Sequence, residues 1–282
     1  MSQPFPRTTV GGLSLPRMIM GSNWMMGYSH TSAAADAMIK ARNENRESIA
    51  EIAEVFLRHD INAIMACVSV SPVLNDGLKL AEDRTGKQII RIDTPHINVD
   101  DNAAGRKEAE ATIKNSKDTG CHFCLPHHYS AEQLINKNLR AMPRLPDYLK
   151  MIRDHGLIPG LSAHMPELVI YSDANGYDVE TYIQIYNCMG FLMQIEVESI
   201  HNTIHKAKKP VMTIKPMAAG RCSPFVGITF AFNTLRDCDM VTVGCLTPRE
   251  AEEDIEIGLA AIERRVPGVA GRSSPARSEI MK

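Results

Sequence analysis

The chain has 282 residues, of which 44% are hydrophobic, and a formal net charge of −2 at pH 7. This length suits one domain, and the charge gives no electrostatic footprint for nucleic acid or an anionic membrane. The sequence has no apolar run of membrane-spanning length, no signal-peptide core and an odd, dispersed set of seven cysteines, so it predicts a cytoplasmic protein.

A short hairpin is predicted at the start of the chain. Residues 8–16 place Gly11 and Gly12 between β-prone flanks, which is the pattern of a two-residue hairpin turn. We expect this hairpin to plug the bottom of the domain.

The longest connection, residues 22–46, follows the first predicted strand and is called the rim loop below. It carries Trp24, Tyr28 and His30 ahead of a helix-prone segment. A long loop with apolar side chains is typical of a lid over a site or of an oligomer contact. We favour a lid that closes over a small-molecule substrate and leave a homo-oligomer open.

Eight short apolar runs, each followed by a helix-like stretch, recur along the chain. Parallel strands need a crossover of about a dozen residues or more, usually a helix. Eight such units predict a single (β/α)8 TIM barrel over residues 1–282, with a loose tail at 266–282. The runs are Arg17–Gly21, Asn62–Cys67, Gln88–Ile92, Cys121–Leu125, Ile158–Leu161, Thr181–Ile185, Val211–Lys215 and Met240–Cys245.

Histidines follow three neighbouring strands of this predicted barrel. His96 comes after the third strand, His127 and His128 after the fourth, and His164 after the fifth. Barrel enzymes carry their chemistry at the C-terminal ends of the strands, so these side chains are predicted to line a site. Because side chains alternate along a regular strand, at most one of His127 and His128 is expected to face it.

Such imidazoles suit two kinds of chemistry. His96, His127 and His164, or two of them with a carboxylate such as Asp93 or Glu167, would hold Zn²⁺, Mn²⁺ or Fe²⁺ and leave a position open. Alternatively, one or two of these histidines transfer protons without a metal, because imidazole titrates near neutrality. A third interpretation is that they are only polar lining.

Lys215 and the pair His201 and His205 are further candidates for a chemical role. Lys215 ends the seventh predicted strand, where a desolvated lysine can form a Schiff base with a carbonyl substrate. His201 and His205 have i,i+4 spacing, but they fall on an outer helix and are interpreted as a solvated or interface pair.

Five short segments match, in order and spacing, motifs of one barrel family: Asp60–Asn62, Gly160–His164, Gln184–Asn187, Ile214–Gly220 and Val243–Glu250. With the N-terminal hairpin, they resemble the aldo/keto reductases, barrel enzymes that use NADP(H). The resemblance implies the same barrel. It also implies that Ser162 and Gln184 contact a nicotinamide and that Arg221 and Arg249 contact phosphates.

The resemblance does not extend to the catalytic groups of the family. Those enzymes use Asp, Tyr, Lys and His, with the tyrosine donating a proton to the carbonyl and the lysine lowering its pKa. Alignment places Met65, Val70 and Thr94 where the aspartate, tyrosine and lysine belong, and only His127 has a counterpart. That proton relay therefore cannot be built from these residues.

The sequence predicts an enzyme that no longer performs the reductase reaction. We expect a metal- or histidine-assisted lyase, isomerase or hydrolase acting on a small polar, sugar- or polyol-like substrate. His127 is the main catalytic candidate, His96 and His164 are co-ligands or proton carriers, and Asp93 and Lys215 are secondary candidates. The alternatives are an NADP(H)-dependent oxidoreductase with another acid, and a non-catalytic binding or regulatory barrel that makes contact through the rim loop.

Overall fold

An antiparallel hairpin precedes the barrel. In the computed structural model, which describes residues 3–269, β1 (Arg7–Val10) and β2 (Leu13–Pro16) pair across Gly11 and Gly12. Both glycines have positive φ, 55° and 84°, as a two-residue hairpin turn requires. Side chains from both hairpin strands are buried among those of the barrel interior, so the predicted hairpin plug is confirmed.

Parallel strands form the barrel wall, and the fifth strand position is split at Gly160. Its first half pairs with the fourth strand and its second half with the sixth. A Cβ at Gly160 would lie 2.8 Å from Leu125 Cγ and from the Thr181 carbonyl oxygen, so only glycine fits this crossing. The predicted TIM barrel is confirmed. The strands within residues 3–269 are β3 (Met18–Gly21), β4 (Ala63–Ala66), β5 (Ile90–Asp93), β6 (Phe123–Cys124), β7 (Ile158–Pro159), β8 (Leu161–Ala163), β9 (Tyr182–Ile185), β10 (Val211–Ile214) and β11 (Met240–Gly244).

Helices surround this wall and bury their apolar faces against it. Three of them are short or belong to loops at the top: α1 and α2 lie in the rim loop, and α6 follows β6. The helices are α1 (Asn23–Met26), α2 (Ala33–Asn43), α3 (Arg46–Arg58), α4 (Pro72–Thr85), α5 (Ala103–Asp118), α6 (His128–Ala131), α7 (Leu145–Asp154), α8 (Glu167–Asn175), α9 (Val197–Lys206), α10 (Pro224–Thr234) and α11 (Pro248–Glu263).

A buried carboxylate joins the last two strands at the bottom of the barrel. Asp239 is 0% exposed, and its Oδ1 accepts the backbone N–H of Val211 at 2.8 Å. The Arg236 guanidinium donates to both carboxylate oxygens, at 2.9 and 2.7 Å. The Asp239 carbonyl accepts from Arg17 Nε at 3.1 Å. These bonds fix β10 and β11 against the start of β3.

None of the helices within residues 3–269 combines the length and the apolar composition of a membrane span. The loose tail predicted at 266–282 lies largely outside the described residues.

Candidate active site at the barrel rim

The chain turns into a helix as soon as it leaves β6. His127 has φ −55° and ψ 149° and caps α6, with its Nδ1 accepting the Tyr129 backbone N–H at 3.4 Å. Because the strand has already ended at Cys124, the alternation of side chains no longer applies. His127 and His128 join the same cluster, with ring centroids 4.3 Å apart. The expectation that only one of them faces the site is therefore wrong.

Four imidazoles from three strand ends stack into a row, called the histidine row below. His96 stacks on His127 at 4.0 Å with 20° between the planes, and His128 stacks on His164 at 3.6 Å with 19°. The Tyr129 ring lies 4.5–5.6 Å from three of these rings. The strand ends thus bring together His96, His127 and His164, as the sequence predicts.

Glu132 anchors one end of the histidine row. Its Oε1 accepts the backbone N–H groups of His164 at 2.6 Å and Met165 at 2.9 Å. Its Oε2 lies 3.8 Å from His128 Nδ1. Burial raises the pKa of Glu132, but the neighbouring His128 and the hydrogen bonds from the two backbone N–H groups outweigh burial and hold that pKa below its ordinary value. Sequence reasoning missed Glu132, although its i,i+4 spacing from His128 was visible.

Three rings of the row, those of His96, His127 and His164, are uncharged near pH 7. Burial, followed by the neighbouring His96 and His128, lowers the pKa of His127 to about 3. Burial, followed by His128 and Lys215, lowers the pKa of His164 to about 3. The pKa of His96 is also lowered, again mainly by burial. A neutral imidazole offers one N–H donor and one acceptor nitrogen, so these rings can both donate and accept.

Lys215 follows β10 and faces the same region. Its backbone is left-handed, with φ 60°, as are Ala218 and Ala219 after it, so the chain doubles back at this strand end. Burial lowers the pKa of the Lys215 amine to about 8. The amine is close enough to lower the pKa values of His127 and His164. Lys215 therefore lies at the same rim of the barrel, directly after β10.

The rim loop packs as a helical segment over the far side of the mouth. Trp24 lies beside Gly220 and Gly244. His30 Nε2 is 3.0 Å from Asn23 Nδ2, and the pKa of His30 is lowered by burial and then by Lys215. Tyr28 is 53% exposed. The loop thus positions Trp24 and His30 at the rim, while closure over a substrate stays a prediction.

Asp93 and Glu167, the two carboxylates predicted as possible metal ligands, bind other partners. Asp93 is 0% exposed and accepts from the Ser69 backbone N–H at 3.2 Å and Ser116 Oγ at 2.6 Å. The side chain of Ile92, the preceding residue on β5, points into the barrel interior. Because side chains alternate along a strand, that of Asp93 points outward toward α5. Glu167 pairs with Lys137 at 2.8 Å. Asp93 therefore supports the outer helices and does not join the row.

The histidine row does not fit the predicted metal site. In the part of the chain that the structure describes, no group of three or more His, Cys, Asp or Glu side chains is arranged to hold a metal ion. His96 packs plane against plane on His127, and His164 does so on His128, whereas ligands of one ion aim their nitrogens at a common point. No step below depends on a metal.

The positions that correspond to the aspartate, tyrosine and lysine of the reductases carry other types of side chain. Met65 packs in the barrel interior, 7% exposed. Val70 is 68% exposed on the turn that follows β4. Thr94 is buried, and its carbonyl accepts from Cys67 Sγ at 3.3 Å. None of these side chains can replace a tyrosine as proton donor.

The four residues predicted to contact NADP(H) differ in burial and in the groups they bind. Gln184 is fully buried; its Nε2 donates to the His164 carbonyl at 3.3 Å, and its Oε1 has no partner. Ser162 is buried on β8. The Arg221 guanidinium lies 3.9 Å from the centroid of an aromatic ring, that of Phe191. The Arg249 side chain is 80% exposed and pairs with Glu253 at 3.3 Å.

One end of the histidine row borders a surface depression. Its volume is about 340 Å³, and His96 contributes to its wall. This depression lies between the strand ends and α5 and gives a small molecule access to the His96 end. The other lining residues are Cys67, Val70, Pro95, Ala111, Thr112 and Asn115.

Thermal stability should fall more steeply in the wild type than in His164→Gln as the pH drops below the ordinary histidine pKa of 6.5. Above that pH the imidazole is neutral in both states. Below it the unfolded chain binds a proton that the folded chain refuses until about pH 3, so unfolding is favoured. Thermal midpoints measured in steps between pH 7.5 and 4.5 test this. Parallel curves for the two proteins would show that His164 titrates normally in the fold.

Comparisons with known proteins identify the fold. No protein-family model and no curated protein sequence matches the chain. A Pseudomonas aeruginosa protein assigned to the aldo-keto reductases superposes with a TM-score of 0.65 at 13% identity, covering 93% of this chain and 98% of that one. A Klebsiella pneumoniae aldo/keto reductase, solved with NADP and acetate, gives 0.57 at 13%, covering 94% and 92%. Giardia lamblia aldose reductase gives 0.54 at 11%, covering 90% and 89%.

These likenesses confirm the fold expected from the resemblance. The chain folds as a TIM barrel similar to the barrels of the aldo-keto reductases. At 11–13% identity they establish the scaffold and leave the reaction to be argued from the site itself.

Proposed function

We propose that the protein is an enzyme that moves protons on a small polar, sugar- or polyol-like hydroxycarbonyl substrate, as an isomerase or lyase does. The observation that carries this proposal is the packed row of His96, His127, His128 and His164, in which His127 and His164 have low pKa values. Hydrolysis would use the same groups.

His127 is assigned as the electrophile. A neutral imidazole held in a packed site donates its N–H to a carbonyl oxygen and stabilises the negative charge that develops there. The low pKa of His127 keeps it in this uncharged form across the physiological range. Its place inside the row, between the rings of His96 and His128, fixes the orientation of the N–H.

His164 is assigned as the proton acceptor. Its pKa is low, but Glu132 is adjacent and acts to raise it, and the same carboxylate holds the His164 backbone. A proton on His164 would therefore be balanced by Glu132 and by the negative oxygen of the intermediate. His96, at the opposite end of the row and beside the surface depression, is placed to exchange protons with solvent.

Deuterium incorporation tests this function without knowledge of the product. The protein, treated with a chelator and supplied with no nucleotide, is incubated in D₂O with a panel of small hydroxycarbonyl compounds and followed by proton NMR. The proposal expects at least one compound to lose a carbon-bound proton signal next to its carbonyl group. Exchange that appears only after Zn²⁺, Mn²⁺ or Fe²⁺ is added would replace the metal-free mechanism with a metal-assisted one.

One observation favours a second candidate, an NADP(H)-dependent oxidoreductase. The unpartnered Oε1 of buried Gln184 is an acceptor that the carboxamide of a nicotinamide would satisfy. Gln184 and Ser162 would hold that ring, which supplies hydride when bound, and Arg221 would meet a phosphate. Fluorescence titration with NADPH decides: submicromolar binding that Gln184→Leu weakens supports this candidate, and absence of binding removes it.

A further inference from the structure

A pair of histidines on the outer helix α9 lies apart from the strand ends that carry the histidine row. His201 and His205 are one helical turn apart, and their ring centroids are 4.1 Å apart with 37° between the ring planes. His201 contacts Tyr186, which directly follows β9, and His205 contacts Thr234, the last residue of α10. These contacts fix the positions of both rings.

The hydrogen bonds around His201 determine which of its nitrogens carries the proton. Thr234 Oγ1 donates its proton to the Phe230 carbonyl at 2.7 Å, since a carbonyl can only accept. Thr234 Oγ1 therefore accepts from the Tyr186 hydroxyl at 2.9 Å. With its own proton used, the Tyr186 oxygen accepts from His201 Nδ1 at 3.2 Å. A neutral imidazole has one N–H, so His201 Nε2 is left with a lone pair.

His205 is fixed through its other nitrogen. Its Nε2 lies 2.8 Å from the Thr234 backbone carbonyl and donates to it. In the neutral ring, His205 Nδ1 is then the nitrogen that carries the lone pair. Burial, followed by the neighbouring His205, lowers the pKa of His201, which favours the uncharged form of that ring. The two adjacent rings thus present one unprotonated nitrogen each.

Metal-ligating histidines are arranged in this way. Such a histidine donates its other ring N–H to a neighbouring acceptor, which fixes the tautomer and orients the ring. Zn²⁺ lies about 2.0–2.1 Å from each imidazole nitrogen, so two nitrogens that share one ion are at most about 4 Å apart. Ring centroids 4.1 Å apart permit that spacing.

We propose that His201 and His205 form a binding site for one divalent transition-metal ion of the kind that imidazole prefers, such as Zn²⁺ or Cu²⁺. His201 Nε2 and His205 Nδ1 are its two protein ligands. Among residues 3–269, no group of three or more His, Cys, Asp or Glu side chains is arranged to hold an ion, so water completes the coordination. The ion binds the folded chain and stabilises it. This site does not depend on the proposed function.

Calorimetric titration of the chelator-treated full chain with Zn²⁺ tests the site. The wild type should bind one ion, and His201→Gln or His205→Gln should weaken binding at least about tenfold. Tyr186→Phe keeps both ligands but removes the acceptor that orients His201, and should weaken binding about 10- to 100-fold. Mg²⁺, which prefers oxygen ligands, should not bind.

Two control variants locate the ion. His155→Gln removes a histidine that follows α7 and has no histidine four residues before or after it, so it should bind Zn²⁺ like the wild type. His127→Asn alters the histidine row and should also bind Zn²⁺ normally. As a second measurement, Zn²⁺ should raise the thermal midpoint of the wild type and leave that of His205→Gln unchanged.

The inference is overturned if the wild type binds no Zn²⁺, or if His201→Gln and His155→Gln bind it equally well. Binding that is lost in His127→Asn and kept in His201→Gln would place the ion at the histidine row and also overturn it. If Tyr186→Phe binds like the wild type and has a wild-type circular dichroism spectrum, the orienting bonds do not build a site and the binding is adventitious.

Discussion

Replacing His127 with asparagine should slow deuterium exchange into the substrate at least about 100-fold, the usual scale of a positioned acid–base group. The variant loses the N–H toward the substrate oxygen and the ring that stacks on His96, while His128 and His164 remain stacked on each other. Asparagine is a good helix N-cap, so it can take over the bond that His127 Nδ1 makes to the Tyr129 backbone at the start of α6.

The matched control for this variant is His122→Asn. His122 lies just before β6, at the opposite end of the same strand, and is exposed. Its exchange rate should equal that of the wild type. If His127→Asn retains full activity with a wild-type circular dichroism spectrum, the reaction does not use this imidazole and the proposed mechanism is wrong.

Of the substitutions proposed for this protein, Asp239→Ala should cause the largest loss in the free energy of unfolding. Asp239→Ala removes the buried carboxylate that binds the Arg236 guanidinium and the Val211 backbone N–H. A buried charge pair broken on one side costs about 3–5 kcal/mol, because here the Arg236 guanidinium loses its counter-charge and the Val211 N–H loses its acceptor. The free energy of unfolding, measured by urea denaturation, should fall by this amount.

Asp237→Ala provides the comparison two residues away. The Asp237 side chain is fully exposed and contacts Arg17 at 3.4 Å, so its removal should cost less than about 1 kcal/mol. Equal losses in the two variants would mean that Asp239 does not fix the bottom of β10 and β11 in the way described here.

The barrel was predictable from sequence because its strands are buried on both faces. Such strands are apolar without interruption, as in Met18–Gly21 and Ala63–Ala66. Gly11 and Gly12 likewise marked the hairpin turn. The break in the fifth strand was not predictable, because it depends on how closely Leu125 and Thr181 approach Gly160 across the barrel.

The sequence predicted which histidines lie near one another at the site, but not how their side chains are oriented. The strand-end rule placed His96, His127 and His164 together, since parallel strands end at one rim. It gave no information on ring orientation, which follows from the turn at His127. Asp93 shows the same limit: its residue type suggested chemistry, but its register on β5 turned it toward Ser116.

Histidine titration by long-range ¹H–¹⁵N NMR tests most directly the claim that an uncharged, packed histidine row forms the reactive centre. Selective variants assign the signals of His127 and His164, and spectra are recorded as the pH is lowered from neutrality. The account predicts that both rings remain neutral at pH values well below 6.5, because their folded pKa values lie at about 3. Titration of both rings near 6.5 would contradict it, because such rings would be solvated and separate.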